Sequence, residues 1–254
     1  MKKALTLLTL FVIALASAAQ TRFFYEWKDG VPTKRLISEI DSITFELQEE
    51  VIDSVTTETK IYNAVDLGLP SGTLWADRNV GADSPEAYGD HFSWGETSPN
   101  DFYEWKSYKW CEGSNSTITK YCTDSQYGTL DNKDTLDPED DAATVNMGSE
   151  WRMPTYDEFD ELIKTCTWEW STHNDTKGYK ITGPNGNSIF LPAAGYRYAR
   201  YQDLYDDGAQ GFYWLASIHE KLSYQASSLI FHSGSHYLYA FNRYSGRTIR
   251  AVAR

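Results

Sequence analysis

Cysteine is scarce in this chain. Cys111, Cys122 and Cys166 are the only three in 254 residues, and no C-x-x-C spacing occurs. That excludes a zinc ribbon and a thioredoxin-like redox pair. Three thiols cannot all pair with one another; in an oxidising compartment Cys111 and Cys122 would close a short loop. Positive charge is also in deficit, with 23 Lys and Arg against 36 Asp and Glu, a formal charge of −13 and a pI near 4.8. Phosphate binding needs clustered cations, so the balance argues against nucleic acid and against docking on anionic lipid. There is no G-x-S-x-G elbow of the serine hydrolase kind. No repeat of 20 to 50 residues is present. Beyond the N-terminus no apolar run approaches the ~20 residues of a spanning helix.

Aromatic residues, by contrast, are abundant: 18 Tyr and 9 Trp bring the aromatic share to 15%. Hydrophobic residues make up 41% and the mean hydropathy is −0.53, which places the chain among folded proteins rather than disordered ones.

The N-terminus has the order of a secretory signal peptide. Lys2 and Lys3 precede an apolar run from Ala4 to Ala16, followed by Ser17, Ala18 and Ala19. Cleavage is expected before Gln20 or one residue earlier. Loss of the two lysines takes the charge from −13 to −15. The expected location is therefore outside the cytoplasm: periplasm, outer surface or extracellular.

Residues 20–48 read as a small β unit. Phe23, Tyr25 and Trp27 alternate, Asp29-Gly30 is a turn signal, and a second alternation runs through Ile37, Ile43, Phe45 and Leu47. Residues 49–60 are polar and Thr-rich and read as a linker to a domain over 61–254. In that domain Thr155 and Glu158 form a capping box, ahead of Phe159, Leu162, Ile163 and Cys166 on one apolar face. A second helix is expected to start at Asp140 or Asp141, where carboxylates favour a helix N-terminus. Residues 179–182 and 188–191 flank a Gly-Pro-Asn-Gly-Asn turn, and 212–217, 228–232 and 248–252 are further β runs. This order predicts an α+β fold with a mixed, mostly antiparallel sheet and two helices, preceded by the N-terminal β unit.

The ordered motifs of this domain resemble a known family. Val65-Asp66-Leu67-Gly68-Leu69-Pro70-Ser71-Gly72-Thr73-Leu74-Trp75-Ala76 leads to Asn79-Val80-Gly81-Ala82, Tyr88-Gly89-Asp90 and Phe92-Ser93-Trp94-Gly95-Glu96-Thr97. Asp140-Asp141-Ala142-Ala143-Thr144, Trp151-Arg152-Met153-Pro154-Thr155, Ile189-Phe190-Leu191-Pro192-Ala193-Ala194-Gly195-Tyr196-Arg197 and Tyr213-Trp214-Leu215-Ala216-Ser217 follow. From about Asn63 onward the chain resembles the Fibrobacter succinogenes major paralogous domain, a family of secreted bacterial proteins. The resemblance implies a C-type-lectin-like domain. Trp75, Trp94, Trp151 and Trp214 read as core rings, Gly68, Gly81, Gly95 and Gly195 as turn or close-packing positions, and Arg152 as one half of a structural ion pair with a buried carboxylate such as Asp140 or Asp141.

The same Trp151-to-Thr155 stretch resembles formylglycine-generating enzymes, which use a C-terminal cysteine pair. No Cys follows Cys166 here, so that chemistry is not carried over. The Glu-Pro-Asn, Gln-Pro-Asp and Trp-Asn-Asp motifs of calcium-dependent lectins are absent too. Asp131, Asp134 and Asp137 cluster in one loop and Asp203, Asp206 and Asp207 in another, neither with an EF-hand pattern. His232 and His236 have i, i+4 spacing but flank Ser-Gly-Ser, a loop signal, so no metal and no cofactor is expected. The expected ligand surface is the loop from Tyr196 to Gly211, with Tyr198, Arg200, Tyr201, Asp203, Tyr205, Asp206 and Asp207 as contacts. The functional expectation is an exported, non-enzymatic binding module for a glycan or surface protein. The alternative is a structural or adhesin subunit docked through its N-terminal β unit.

Overall fold

The computed structural model describes residues 23–28, 31–36, 60–200 and 203–254. The leader read in 1–19, the second alternation over 37–47 and the linker up to residue 59 lie outside them. The chain divides into two compact units, 1–57 and 58–254. In the first, β1 (Phe23–Lys28) and β2 (Val31–Leu36) form an antiparallel hairpin with Lys28 opposite Val31.

The second unit is α+β. Short strands β3 (Ala64–Asp66), β4 (Leu74–Ala76), β5 (Phe102–Tyr103) and β6 (Trp151–Arg152) are separated by irregular chain and by helix α1 (Ala142–Met147). Helix α2 (Tyr156–Thr165) follows, then a meander of β7 (Thr167–His173), β8 (Thr176–Thr182) and β9 (Ser188–Pro192). Three two-residue strands come next, β10 (Tyr196–Arg197), β11 (Ala199–Arg200) and β12 (Leu204–Tyr205). A second meander is built from β13 (Gln210–Ile218), β14 (Gln225–His232) and β15 (Ser235–Asn242), and β16 (Val252–Ala253) inserts between β4 and β6.

Both helices start where carboxylate and hydroxyl caps place them. Thr155 Oγ1 accepts from Glu158 N at 3.3 Å, and Glu158 Oε2 accepts from Thr155 N at 2.8 Å. Asp141 Oδ1 accepts from Ala143 N and Thr144 N at the head of α1. Phe159 and Leu162 are buried, and the Phe159 ring lies 4.8 Å from that of Trp75. They belong to a core cluster with Ile181, Leu191, Leu215, Leu229 and Phe231. A second cluster gathers Val80, Phe92, Trp94, Met153, Trp214 and Ile249.

Two expectations need correction. Arg152 pairs with neither Asp140 nor Asp141. It forms a bidentate pair with Glu158, Nη1 to Oε2 at 2.8 Å and Nη2 to Oε1 at 2.5 Å. The two aspartates are already engaged: Asp141 caps α1 and accepts from Met153 N, and Asp140 accepts from Lys120 Nζ and Tyr121 OH. The sheet is also not a single mixed one. The ladders between the described strands are antiparallel and fall into several short sheets, with parallel geometry only in isolated bridges. The expected strand over 248–252 is regular only at its end. Its carbonyls instead serve three different segments: Thr248 O accepts from Trp214 N, Ile249 O from Val80 N, and Ala251 O from Ala76 N.

The irregular stretch from 77 to 141 is held by side chains that reach backbone. Trp94 Nε1 donates to Leu215 O and Trp214 Nε1 to Phe92 O, both at 2.8 Å, stitching this stretch to β13. Arg243, fully buried, donates to Tyr108 OH and to the carbonyls of Lys120, Tyr121 and Ser223. Arg250 does the same for Ala76 O, Phe190 O and Asn79 Oδ1. A guanidinium has five donors in a fixed fork, which suits it to satisfying carbonyls that no ladder pairs.

Candidate functional site

The segment expected to meet ligand is a set of short pairings rather than an open loop. Tyr196 and Arg197 of β10 face Tyr205 and Leu204 of β12, and Ala199 and Arg200 of β11 pair with Tyr103 and Phe102 of β5. Ala199 has φ 64° and Asp206 φ 58°, so the chain reverses sharply at both. At Gly195, φ is +64° and a Cβ would fall 2.2 Å from Tyr205 O. Only glycine lets the two arms of the segment close to this distance. Gly208 N donates to Ala193 O at 2.8 Å and closes its far end.

Of the expected contact residues, Tyr198 and Tyr205 are exposed, 48% and 42% respectively. Each has its ring supported from the side. Tyr205 stacks on Tyr196 at 5.6 Å, and Tyr196 meets the buried Phe212 edge-on at 5.0 Å. Tyr198 leans on Tyr244 at 5.8 Å, and Tyr244 meets Trp105 at 4.8 Å. Asp206 and Asp207 are exposed and Asp203 is half-buried. Asp206 Oδ2 accepts from Gln210 Nε2, a bond internal to the turn. Arg200 is placed by its backbone alone, and Tyr201 lies outside the described residues.

Two buried cationic or titratable groups lie close to this segment. Arg247 is 2% exposed, with its guanidinium carbon 3.6 Å from the Phe241 ring centre and 4.8 to 4.9 Å from Trp214 and Phe212. Burial lowers its pKa, and the phenols of Tyr196 and Tyr244 work against that. His91 Nε2 lies 3.1 Å from Ala194 O, one residue before Gly195. Burial, reinforced by the charge of Arg197, depresses the imidazole to about 4.

The metal-like spacings do not converge. His232 and His236 lie on neighbouring strands, His232 opposite Ser235 and His236 opposite Phe231, so their side chains leave opposite faces of the sheet. His236 stacks on Trp168 at 4.3 Å, and His232 Nδ1 accepts from Gly234 N. Asp131 accepts from the amides of Tyr121 and Cys122, and Asp137 is held near 2 by hydrogen bonds from Lys120 and Lys133. Among the described residues no group of three or more His, Cys, Asp or Glu is arranged to hold a metal ion. The three cysteines are free thiols, and burial pushes Cys166 up to about 11, which disfavours the thiolate a nucleophile requires.

A cleft of about 580 Å³ opens elsewhere, between the start of α2 and the second meander. Tyr156, Ser217, His219, Gln225 and Ser227 contribute polar groups to its lining. Sequence reasoning did not single these out. Ser217 stands between Ala216 and Ile218 on β13 but Ser227 is followed by Ser228 on β14, so no local pattern marks the cleft. No helix among the described residues is long and apolar enough to cross a membrane. Searches of protein-family models, curated proteins and solved structures give no match to this chain.

Proposed function

We propose that this chain is an exported, non-enzymatic binding module. Its domain is read as C-type-lectin-like, of the Fibrobacter major paralogous type, and its ligand as a glycan or surface protein. The observation that carries the reading is the pair of exposed tyrosines, Tyr198 and Tyr205, each braced by further rings on a segment pinned at both ends. Tyrosines held in this way offer large contact area at small entropic cost. The chemistry nearby supports binding rather than catalysis, since Asp206 and Asp207 are exposed and Asp206 accepts from Gln210 within its own turn. The experiment is a glycan and surface-protein array probed with residues 20–254, with and without calcium. The expected result is saturable binding that persists without calcium; turnover of any bound ligand would overturn it.

The subunit reading is favoured by one observation. The first unit contributes a lone two-stranded hairpin among its described residues, and two strands alone are marginal in water. Such a hairpin gains most by pairing with a partner. Deleting residues 20–48 separates the readings: a binding module keeps its affinity and melting temperature, whereas a subunit loses its place in the assembly.

A further inference from the structure

We infer that the cleft between α2 and the second meander is a calcium-independent subsite for one uncharged sugar unit. It is separate from the tyrosine surface assigned above. Its walls offer hydrogen-bonding groups that the protein itself leaves unused. Ser217, Gln225, Ser227 and Tyr156 have no side-chain hydrogen bond among the described residues. All four carry neutral groups, hydroxyls or an amide, and all but Gln225 can donate and accept through one atom.

His219 is oriented by its own loop. Its Nδ1 accepts from Lys221 N at 3.1 Å and Leu222 N at 3.2 Å, so the ring proton sits on Nε2. Nε2 has no partner among the described residues, which makes it a fixed donor in the cleft wall. The loop itself is locked, because His219 N donates to Gln225 O at 2.9 Å and Gln225 N to Leu222 O at 2.7 Å. The exposed ring of Tyr156 and the side chains of Leu222 and Leu238 supply apolar surface beside these groups, whereas Tyr239, opposite Ser228 in the ladder, turns its ring to the other face of the sheet.

The mixture selects a ligand class. A sugar ring has apolar C–H faces and a rim of hydroxyls that both donate and accept, and the lining matches that mixture. The one charged group in the lining is Glu220, a carboxylate that accepts from hydroxyls and repels an anionic ligand. No cation lines the cleft, so neither an acidic sugar nor a phosphate is favoured. A pocket of about 580 Å³ lies within the range of small-molecule sites and exceeds what one sugar unit fills, which leaves room for the adjoining unit of a chain.

The test uses the purified full chain and the sugars D-glucose, D-galactose, D-mannose and N-acetyl-D-glucosamine, titrated by amide NMR in the presence of EDTA. At least one should give saturable shifts at Ser217, His219, Gln225 and Ser227 with millimolar affinity, the range open to so small a ligand. Ser227→Val and Gln225→Leu should each weaken it by about fivefold to tenfold, since each removes a hydrogen bond that only the ligand uses. Tyr156→Ala, at an exposed position, serves if either variant fails to fold, and should weaken binding by a similar factor. Glucuronate should bind worse than glucose. No shifts with any of the four sugars, shifts confined to Tyr198 and Tyr205, or binding lost with EDTA would each overturn the assignment. The array result stands apart, because the tyrosine surface can bind while this cleft stays silent, and the reverse.

Discussion

His91 lies beneath the tyrosine-bearing segment with its Nε2 directed at Ala194 O and its Nδ1 buried without a partner among the described residues. Its pKa of about 4 lies below the ordinary 6.5, so the folded protein binds fewer protons than the unfolded chain between those values. Stability contributed by neutral His91 is therefore complete above pH 6.5 and is lost as pH falls towards 4, by at most about 3 kcal/mol. Glu96 and Asp141 titrate in the opposite sense, because burial raises both. The comparison that isolates His91 is thus with His91→Gln, which keeps the donor to Ala194 and does not titrate. Urea midpoints at pH 7.5 and 5 should diverge for the parent more than for the variant. Equal pH dependence in the two would mean that His91 is accessible to water. The buried arginines belong to the same scale. Arg243 holds three carbonyls and Arg250 two, neither within salt-bridge distance of a carboxylate among the described residues, and the chain path that creates those carbonyls is set far away in sequence.

Helix α2 shows which elements can be read from local residue order. Its cap, first turn and apolar face all lie within the twelve residues from Thr155 to Cys166, so Thr155, Glu158, Phe159 and Leu162 were legible in the sequence, as was the start of α1 to within Asp140 or Asp141. Thr155→Ala should cost ~1 kcal/mol by removing the cap oxygen. Phe159→Ala should cost ~3 to 5 kcal/mol by opening a cavity against Trp75. Denaturant midpoints check both, and an unchanged midpoint for Phe159→Ala would contradict the packing. The partner of Arg152 was not legible, because Asp140, Asp141 and Glu158 carry the same charge on either side of it and only the fold decides between them. Strand β7 escaped for another reason. It follows α2 after a single residue and turns at Asn174 and Asp175, both with positive φ, so neither glycine nor proline marks its bounds. Strand β15 carries exposed Tyr237 and Tyr239 beside half-buried Leu238, a pattern that depends on what half-covers each face.

At the scale of the whole molecule, two aromatic-edged surfaces are set on a frame held by two cores and by side chains that satisfy irregular backbone. The tyrosine segment was legible as composition, four Tyr interleaved with Arg and Asp between two strands, but its short pairings were not. They depend on Phe102, Tyr103 and Gly246, which are remote in sequence. The cleft was not legible at all, since Ser217, His219 and Ser227 are commonplace strand and loop residues until α2 is laid beside them. The central claim is that exposed, ring-braced tyrosines make contact with ligand, and it is tested most directly by Tyr198→Ala combined with Tyr205→Ala. The double variant is assayed against whichever array component the parent binds, with melting temperature recorded alongside. Two exposed aromatic contacts at about 1 kcal/mol each predict binding weakened by tenfold or more. The melting temperature should change little, because both rings lie on the outside of their contacts. Binding that is unchanged in the double variant, with the fold intact, would contradict the account.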